Sequence, residues 1–242
     1  MGLQSSSRRL ANALTTKRWE SIAIACGSLC IISFVIALAG SGNIPPTAPW
    51  WDARRVETHY RHHIKGAQAG SIFIMVAGAL YLVYAAALTR QIRKIPEIDP
   101  ILSDLQLASA AASFSAFMVA SIAMGLLNFR DYGPELTQLL NDILYMAMFL
   151  VWPIFLVQGW TVAWAIFSDK RPNPILPRSM GLINIVAPIV YSLASGIHMH
   201  HTGPMAWNGG IAFWPGVVFF GLQVNVDLWY MWKNIQDNRL LP

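Results

Sequence analysis

The sequence predicts an all-α, polytopic bundle of six membrane-crossing helices with both termini on the cytoplasmic side, and three observations carry that prediction. Hydrophobic residues make up 55% of the 242 positions and charged residues only 12%, about half the charged share of an ordinary soluble domain. Apolar residues gather in six stretches, near 21–42, 67–89, 105–127, 139–167, 180–198 and 208–232, each close to or above the roughly 20 residues that a hydrocarbon core requires. Lys and Arg are divided unequally between the loops. With both termini inside, Arg8, Arg9, Lys17, Arg18, Arg90, Arg93, Lys94, Lys170, Arg171, Arg178, Lys233 and Arg239 share one face, twelve of the seventeen, as the positive-inside rule asks of a cytoplasmic face. The whole chain, 1–242, reads as a single transmembrane domain, and a bacterial inner membrane is its simplest home.

The first stretch is too long for the apolar core of a cleaved signal and runs into Ala39-Gly40-Ser41-Gly42 without a clear cleavage pattern, so it is expected to remain as a helix. Cys26 and Cys30 lie one helical turn apart inside it and read as small hydrophobes. The longest loop follows. Ile44-Pro45-Pro46-Thr47-Ala48-Pro49 favours extended backbone, and Trp50-Trp51 suits a headgroup layer. From Asp52 onward helix formers return and predict a short helix on the outer face before the second span. Arg90-Gln91-Ile92-Arg93-Lys94-Ile95-Pro96 ends the second span, its cations suiting the helix C-terminus and its proline stopping the helix. Ala108 to Ala112, with Ser109, Ser113 and Ser115, mark the third span as a close-packing helix. The fourth is over-long and is expected to tilt or to project beyond the bilayer. Pro153, Pro188 and Pro215 are expected to interrupt the fourth, fifth and sixth spans.

All six histidines fall in two clusters, His59-Tyr60-Arg61-His62-His63 and His198-Met199-His200-His201, which this topology puts on one extracytoplasmic face. Imidazole is the commonest transition-metal ligand, so His59, His62, His63, His198, His200 and His201 form a candidate site for copper or iron, with Met199 and Met205 as soft neighbours. Asp52, Glu57, Asp131, Glu135 and Asp142 share that side. The same histidines also read as interfacial caps bonded to backbone and headgroups, or as pH sensors. Inside the spans Asp142, Gln158, Asn184, Gln223, Asn225 and Asp227 are costly in hydrocarbon and should face the bundle interior, although Asp227 lies close enough to Lys233 to snorkel toward the inner headgroups.

Three stretches resemble a group of uncharacterised six-span integral membrane proteins of actinobacteria and proteobacteria. They are Pro134-Glu135-Leu136-Thr137-Gln138-Leu139-Leu140-Asn141-Asp142, Pro153-Ile154-Phe155-Leu156-Val157-Gln158, and Thr202-Gly203-Pro204-Met205-Ala206-Trp207-Asn208-Gly209 with Phe213-Trp214. The resemblance covers most of 45–235, brings no known activity, and implies that Glu135, Asn141, Asp142, Gln158, Trp207 and Asn208 belong to the group's pattern. Glu135, Asp142, Trp207 and Asn208 thereby become candidate cofactor- or ligand-binding residues. The histidine clusters stand outside that pattern.

Two functional expectations follow. One is a metal-dependent oxidoreductase, or a subunit of one, acting on an apolar substrate with other membrane subunits or further copies of itself as partners. The other is a non-catalytic accessory subunit or carrier for a lipid or steroid-like molecule, with proton-coupled transport through Asp227 or Asp142 as a further possibility. With no GxxxxGKS/T loop and no GxGxxG turn after a strand, nucleotide-driven work is not expected within this chain. The net charge of +5 comes from the loop bias and calls for no nucleic acid.

Overall fold

The computed structural model describes residues 2–237, and these form helices and turns with no strand. In chain order the helices are α1 (Gly2–Gly40), α2 (Ala53–His62), α3 (Ile64–Ile92), α4 (Pro100–Leu126), α5 (Pro134–Phe149), α6 (Trp152–Ser168), α7 (Arg178–Tyr191), a 3-10 helix (Ser192–Met199) and α8 (Phe213–Gln236). Five segments are long and apolar enough to cross a membrane: Lys17–Gly40, Ile64–Ile92, Pro100–Leu126, Pro134–Ser168 and Arg178–Met199. The expected sixth, α8, has the length but is less apolar, because Gln223, Asn225, Asp227 and Lys233 interrupt it.

The helices close into a ring. α1 packs on α3, α3 on α4, α4 on both α5 and α6, α6 on α7, α7 on α8, and α8 returns to α1. Small residues let the backbones approach, as lipid-facing bundles require when no hydrophobic drive separates helix from lipid. A Cβ on Gly66 would lie 1.7 Å from the Gly40 carbonyl oxygen, so α1 and α3 cross at a point that only glycine permits. Farther along, Ser71 Oγ donates to the Ser121 carbonyl and Ser121 Oγ to the Ser71 carbonyl, each at 2.8 Å, tying α3 to α4. Of the serines expected to line a close-packing third span, Ser109 and Ser113 are buried and Ser115 is exposed. Cys30 is buried, and both cysteines are free.

Three boundaries depart from the sequence expectation. The over-long fourth span is two helices, α5 and α6, separated at Leu150 and Val151, with Pro153 in the first turn of α6, where its missing N–H costs nothing. The fifth span keeps α-helical form only to Tyr191. Pro188 sits inside α7, and the chain tightens into the 3-10 helix beyond it. Pro215 lies in the first turn of α8 and interrupts nothing, since the helix starts at Phe213, later than 208.

The short helix expected before the second span is present as α2. Asp52 caps it, accepting the Arg55 backbone N–H at 2.9 Å, and it buries Val56 and Tyr60 as it packs against α5. His63 alone separates α2 from α3, so the chain bends there and does not loop. Trp50 is 53% exposed, as an interfacial anchor would be, whereas Trp51 turns inward against the Arg55 guanidinium and the His59 ring.

Candidate functional site

At the end of the bundle capped by α2, the two histidine clusters are placed on separate elements. His62 Nδ1 lies 2.9 Å from the Thr58 carbonyl and His63 Nδ1 2.8 Å from the His59 carbonyl. Carbonyls only accept, so both Nδ1 atoms carry protons, and these imidazoles cap the last turn of α2. His59 is half-buried, its ring against Trp51, Tyr60 and His63. His198, His200 and His201 are exposed at the exit of the 3-10 helix, with His201 near enough to Asp142 to interact electrostatically. Among the described residues, no three His, Cys, Asp or Glu side chains form a group suited to a metal ion.

What this end does contain is a buried polar clamp. Asn141 Oδ1 accepts from Thr47 Oγ1 at 2.7 Å and from the Tyr60 hydroxyl at 2.8 Å. Asn43 Oδ1 accepts from the Tyr145 hydroxyl at 2.9 Å. Trp207 Nε1 donates to the Thr47 carbonyl at 2.7 Å, and its ring stacks on Tyr145 with centroids 5.2 Å apart. The proline-rich loop is thus tied to α2, α5 and the loop before α8. Of the four residues singled out as ligand-binding candidates, Trp207 belongs to this clamp, Asp142 is half-buried beside it, Asn208 is half-buried nearby in sequence, and Glu135 is exposed in the first turn of α5. On the surface Arg61 bridges Glu57 and Asp131 at 2.7 and 2.9 Å. That contact holds the Asp131 carboxyl below its ordinary range.

Deeper in the ring lies a second polar system. Asp227 is 1% exposed. It accepts from the Tyr84 hydroxyl at 2.7 Å and from Asn184 Nδ2 at 2.8 Å. Asn184 Oδ1 accepts from Gln223 Nε2 at 2.7 Å, and Gln223 Oε1 accepts from the Tyr191 hydroxyl. Asp227 therefore faces inward and does not snorkel past Lys233. Tyr81 donates to Gln158 at 2.9 Å, so the expected burial of Asn184, Gln158 and Asp227 holds, whereas Asn225 is exposed and bonds back to the Gly221 carbonyl. Toward the opposite end, Glu20, Gln91 and Asn234 form a third buried group linking α1, α3 and α8, with Arg90 Nε 3.8 Å from Glu20.

Tyr191 also lines a partly open cavity of about 100 Å³ among the helices of the ring, where a single water needs roughly 10–15 Å³ of such volume. Its wall takes Phe34 from α1, Ile74 from α3, Ala120 from α4, Phe149 from α5, Phe155 from α6 and Gly216 from α8. Tyr191 and Trp152 are the lining side chains with an oxygen or nitrogen, so the space is apolar and suited to a dry organic guest. Aromatic edges and faces meet around it. Tyr191 packs on Phe155 and Phe220, and Phe155 on Phe220.

The fold and this interior define a helical bundle with several membrane-capable helices around an apolar cavity. No family model matches the sequence, and no curated protein or solved structure matches it. A pocket for a flat apolar ligand is within what the aromatic load of the sequence allows, and Trp152 lines this one, but neither the cavity's position nor the clamp was anticipated. The available signal was the set of tyrosines at 60, 81, 84, 145 and 191: a phenol inside an apolar stretch needs a partner for its hydroxyl.

Proposed function

We propose that the protein is a six-span membrane protein that holds a small, flat, apolar molecule in the cavity among the helices of its ring, as a carrier or as the binding subunit of a larger membrane assembly. In this reading α8 is the sixth span, the termini face the cytoplasm, and α2 with both histidine clusters faces outward. The loop distribution of Lys and Arg supports that orientation. A bacterial inner membrane suits it.

One observation carries the reading. The cavity draws its wall from α1, α3, α4, α5, α6, α7, the 3-10 helix and α8 together, so the closed ring leaves one partly open apolar space beside its packed core. Close packing is the norm in protein interiors, and a void lined by seven aromatic side chains forfeits dispersion contacts that an apolar guest restores. The histidines enter this reading as caps of α2 and as exposed groups, a role supported by the carbonyl contacts of His62 and His63.

The test is equilibrium binding of radiolabelled naphthalene to the purified protein in nanodiscs, against empty nanodiscs. A Cβ on Gly216 would approach nothing closer than Phe149 Cε1 at 4.0 Å, so Gly216→Leu grows into the cavity without a backbone clash. Saturable binding at one naphthalene per chain, abolished by Gly216→Leu in a protein of undiminished melting temperature, is the expected result. Uptake that never saturates beyond lipid partition, or that Gly216→Leu leaves unchanged, overturns the reading.

A further inference from the structure

Resting on that reading, we infer that the cavity selects a guest bearing a hydroxyl or N–H donor over one bearing only a carbonyl, because the Tyr191 hydroxyl can offer it lone pairs alone.

The argument is one of hydrogen-bond polarity passed along a chain. Asn184 Nδ2 lies 3.0 Å from the Met180 carbonyl and 2.8 Å from Asp227 Oδ1. A backbone carbonyl can only accept, so this end of the Asn184 side chain is its NH2 group, and the other end is its oxygen. That oxygen requires a donor, which fixes Gln223 with its NH2 group toward Asn184, at 2.7 Å. Gln223 Oε1 is then left facing the Tyr191 hydroxyl and must accept from it. Tyrosine has one hydroxyl proton. Tyr191 has committed it to Gln223, and what remains is acceptor capacity.

The order is over-determined. Met180 fixes the Asn184 amide whatever the protonation of Asp227, and Asp227 reinforces the same orientation. Reversing Tyr191 would require turning both amides and setting the Asn184 oxygen against the Met180 carbonyl, which leaves two buried acceptors facing each other. A guest hydroxyl or N–H can donate to Tyr191, whereas a ketone would bring its lone pairs against those of the phenol. Trp152, the other lining residue with a polar atom, is a donor only, so any preference for a donor guest belongs to Tyr191.

The experiment compares 2-naphthol, which donates, with 2-tetralone, which only accepts, as probes of the intact protein in nanodiscs, each corrected for partition into empty nanodiscs. One net hydrogen bond corresponds to about a fivefold ratio, so 2-naphthol is expected to bind about fivefold more tightly. Tyr191→Phe should bring the ratio to unity. Gln223→Met removes the acceptor for the Tyr191 proton and frees it for a ketone, so 2-tetralone should gain relative to 2-naphthol. Trp152→Phe should leave the preference for 2-naphthol in place. If both probes bind saturably with equal affinity, if 2-tetralone is preferred, or if Tyr191→Phe keeps the ratio, this inference fails while the cavity reading stands. If neither probe binds saturably, both fail.

Discussion

Tyr84 donates its hydroxyl to Asp227 across 2.7 Å, joining α3 to α8 at a carboxyl that forms no ion pair with any Lys, Arg or His among the described residues. A carboxyl held by two neutral donors in an apolar ring is sensitive to shape and polarity together. Asp227→Asn keeps both contacts, since Tyr84 can accept from the new amide while Asn184 still donates to its oxygen. Asp227→Leu leaves the Tyr84 hydroxyl and the Asn184 amide without their partner. The leucine variant is expected to lose about 3 kcal/mol and the asparagine variant about 1 kcal/mol, read from unfolding of the purified proteins in one detergent. Equal losses would show that Asp227 serves through its volume alone.

The clamp at the α2 end should govern local opening of the proline-rich loop. Asn141 accepts from Thr47 and Tyr60 together, and a leucine of similar size there takes the acceptor from the Thr47 hydroxyl and leaves Tyr60 only its longer contact with Asn43 Oδ1 at 3.3 Å. Asn141→Leu is expected to cost about 2 kcal/mol and to speed amide hydrogen exchange across 43–60 while leaving the middle of α4 protected. Trp207→Phe removes the bond to the Thr47 carbonyl but keeps a ring against Tyr145, so about 1 kcal/mol is expected there. Uniform loss of protection throughout the bundle would contradict a local clamp.

How much of this was legible in the sequence depends on the range of the interaction. Asp52 before a run of helix formers announces α2, because an N-cap acts within one turn. The buried amides Gln158 and Asn184 were legible as inward-facing, because an unpaired polar group in hydrocarbon is too costly to face lipid, whereas Asp227 was legible only as one of two alternatives and Asn225, read by the same rule, is exposed. The partners of the buried groups were not legible: Tyr84 and Asp227 are 143 positions apart, and no local pattern encodes which phenol meets which carboxyl. The cavity's position was hidden for a related reason. Phe155, Phe220 and Tyr191 look like any aromatic residues of a membrane helix until the ring closes. The histidine clusters left metal binding and capping open in the sequence, because a dense run of one residue type does not encode its partners, and His62 and His63 lie against helix carbonyls. The break at Leu150 and Val151 is a boundary that apolar composition passes over, since both halves are equally greasy.

The crossing of α1 and α3 supplies a steric prediction with an internal control. Gly66→Ala places a methyl group 1.7 Å from the Gly40 carbonyl oxygen, and neither backbone can yield without separating the two helices. Loss of folded, detergent-extractable protein is expected. A Cβ on Gly221 meets nothing within 4 Å, so Gly221→Ala in the middle of α8 should be neutral or add about 0.5–1 kcal/mol through helix propensity. A folded Gly66→Ala protein with an unchanged melting temperature would remove the close crossing.

His59 makes stability depend on pH in a direction that the geometry fixes. Burial, followed by the positive charge of neighbouring His63, holds its imidazole below the ordinary value of 6.5, and its Nε2, within reach of the Ser41 backbone, lacks a well-formed hydrogen bond to share a proton. Above 6.5 the ring is neutral in both folded and unfolded chains and stability is complete. As the pH falls below that value the unfolded chain takes up a proton that the folded chain refuses, so stability declines until the folded imidazole is itself protonated. The wild-type protein should therefore lose melting temperature between about pH 7 and about pH 5 by more than His59→Gln does. The difference between the two curves isolates this imidazole from carboxylates that titrate lower, among them Asp131, whose contact with Arg61 is lost only in stronger acid. Parallel curves would mean that His59 meets the proton as readily in the folded chain as in the unfolded one, and that its packing against Trp51 and Tyr60 leaves it open to water.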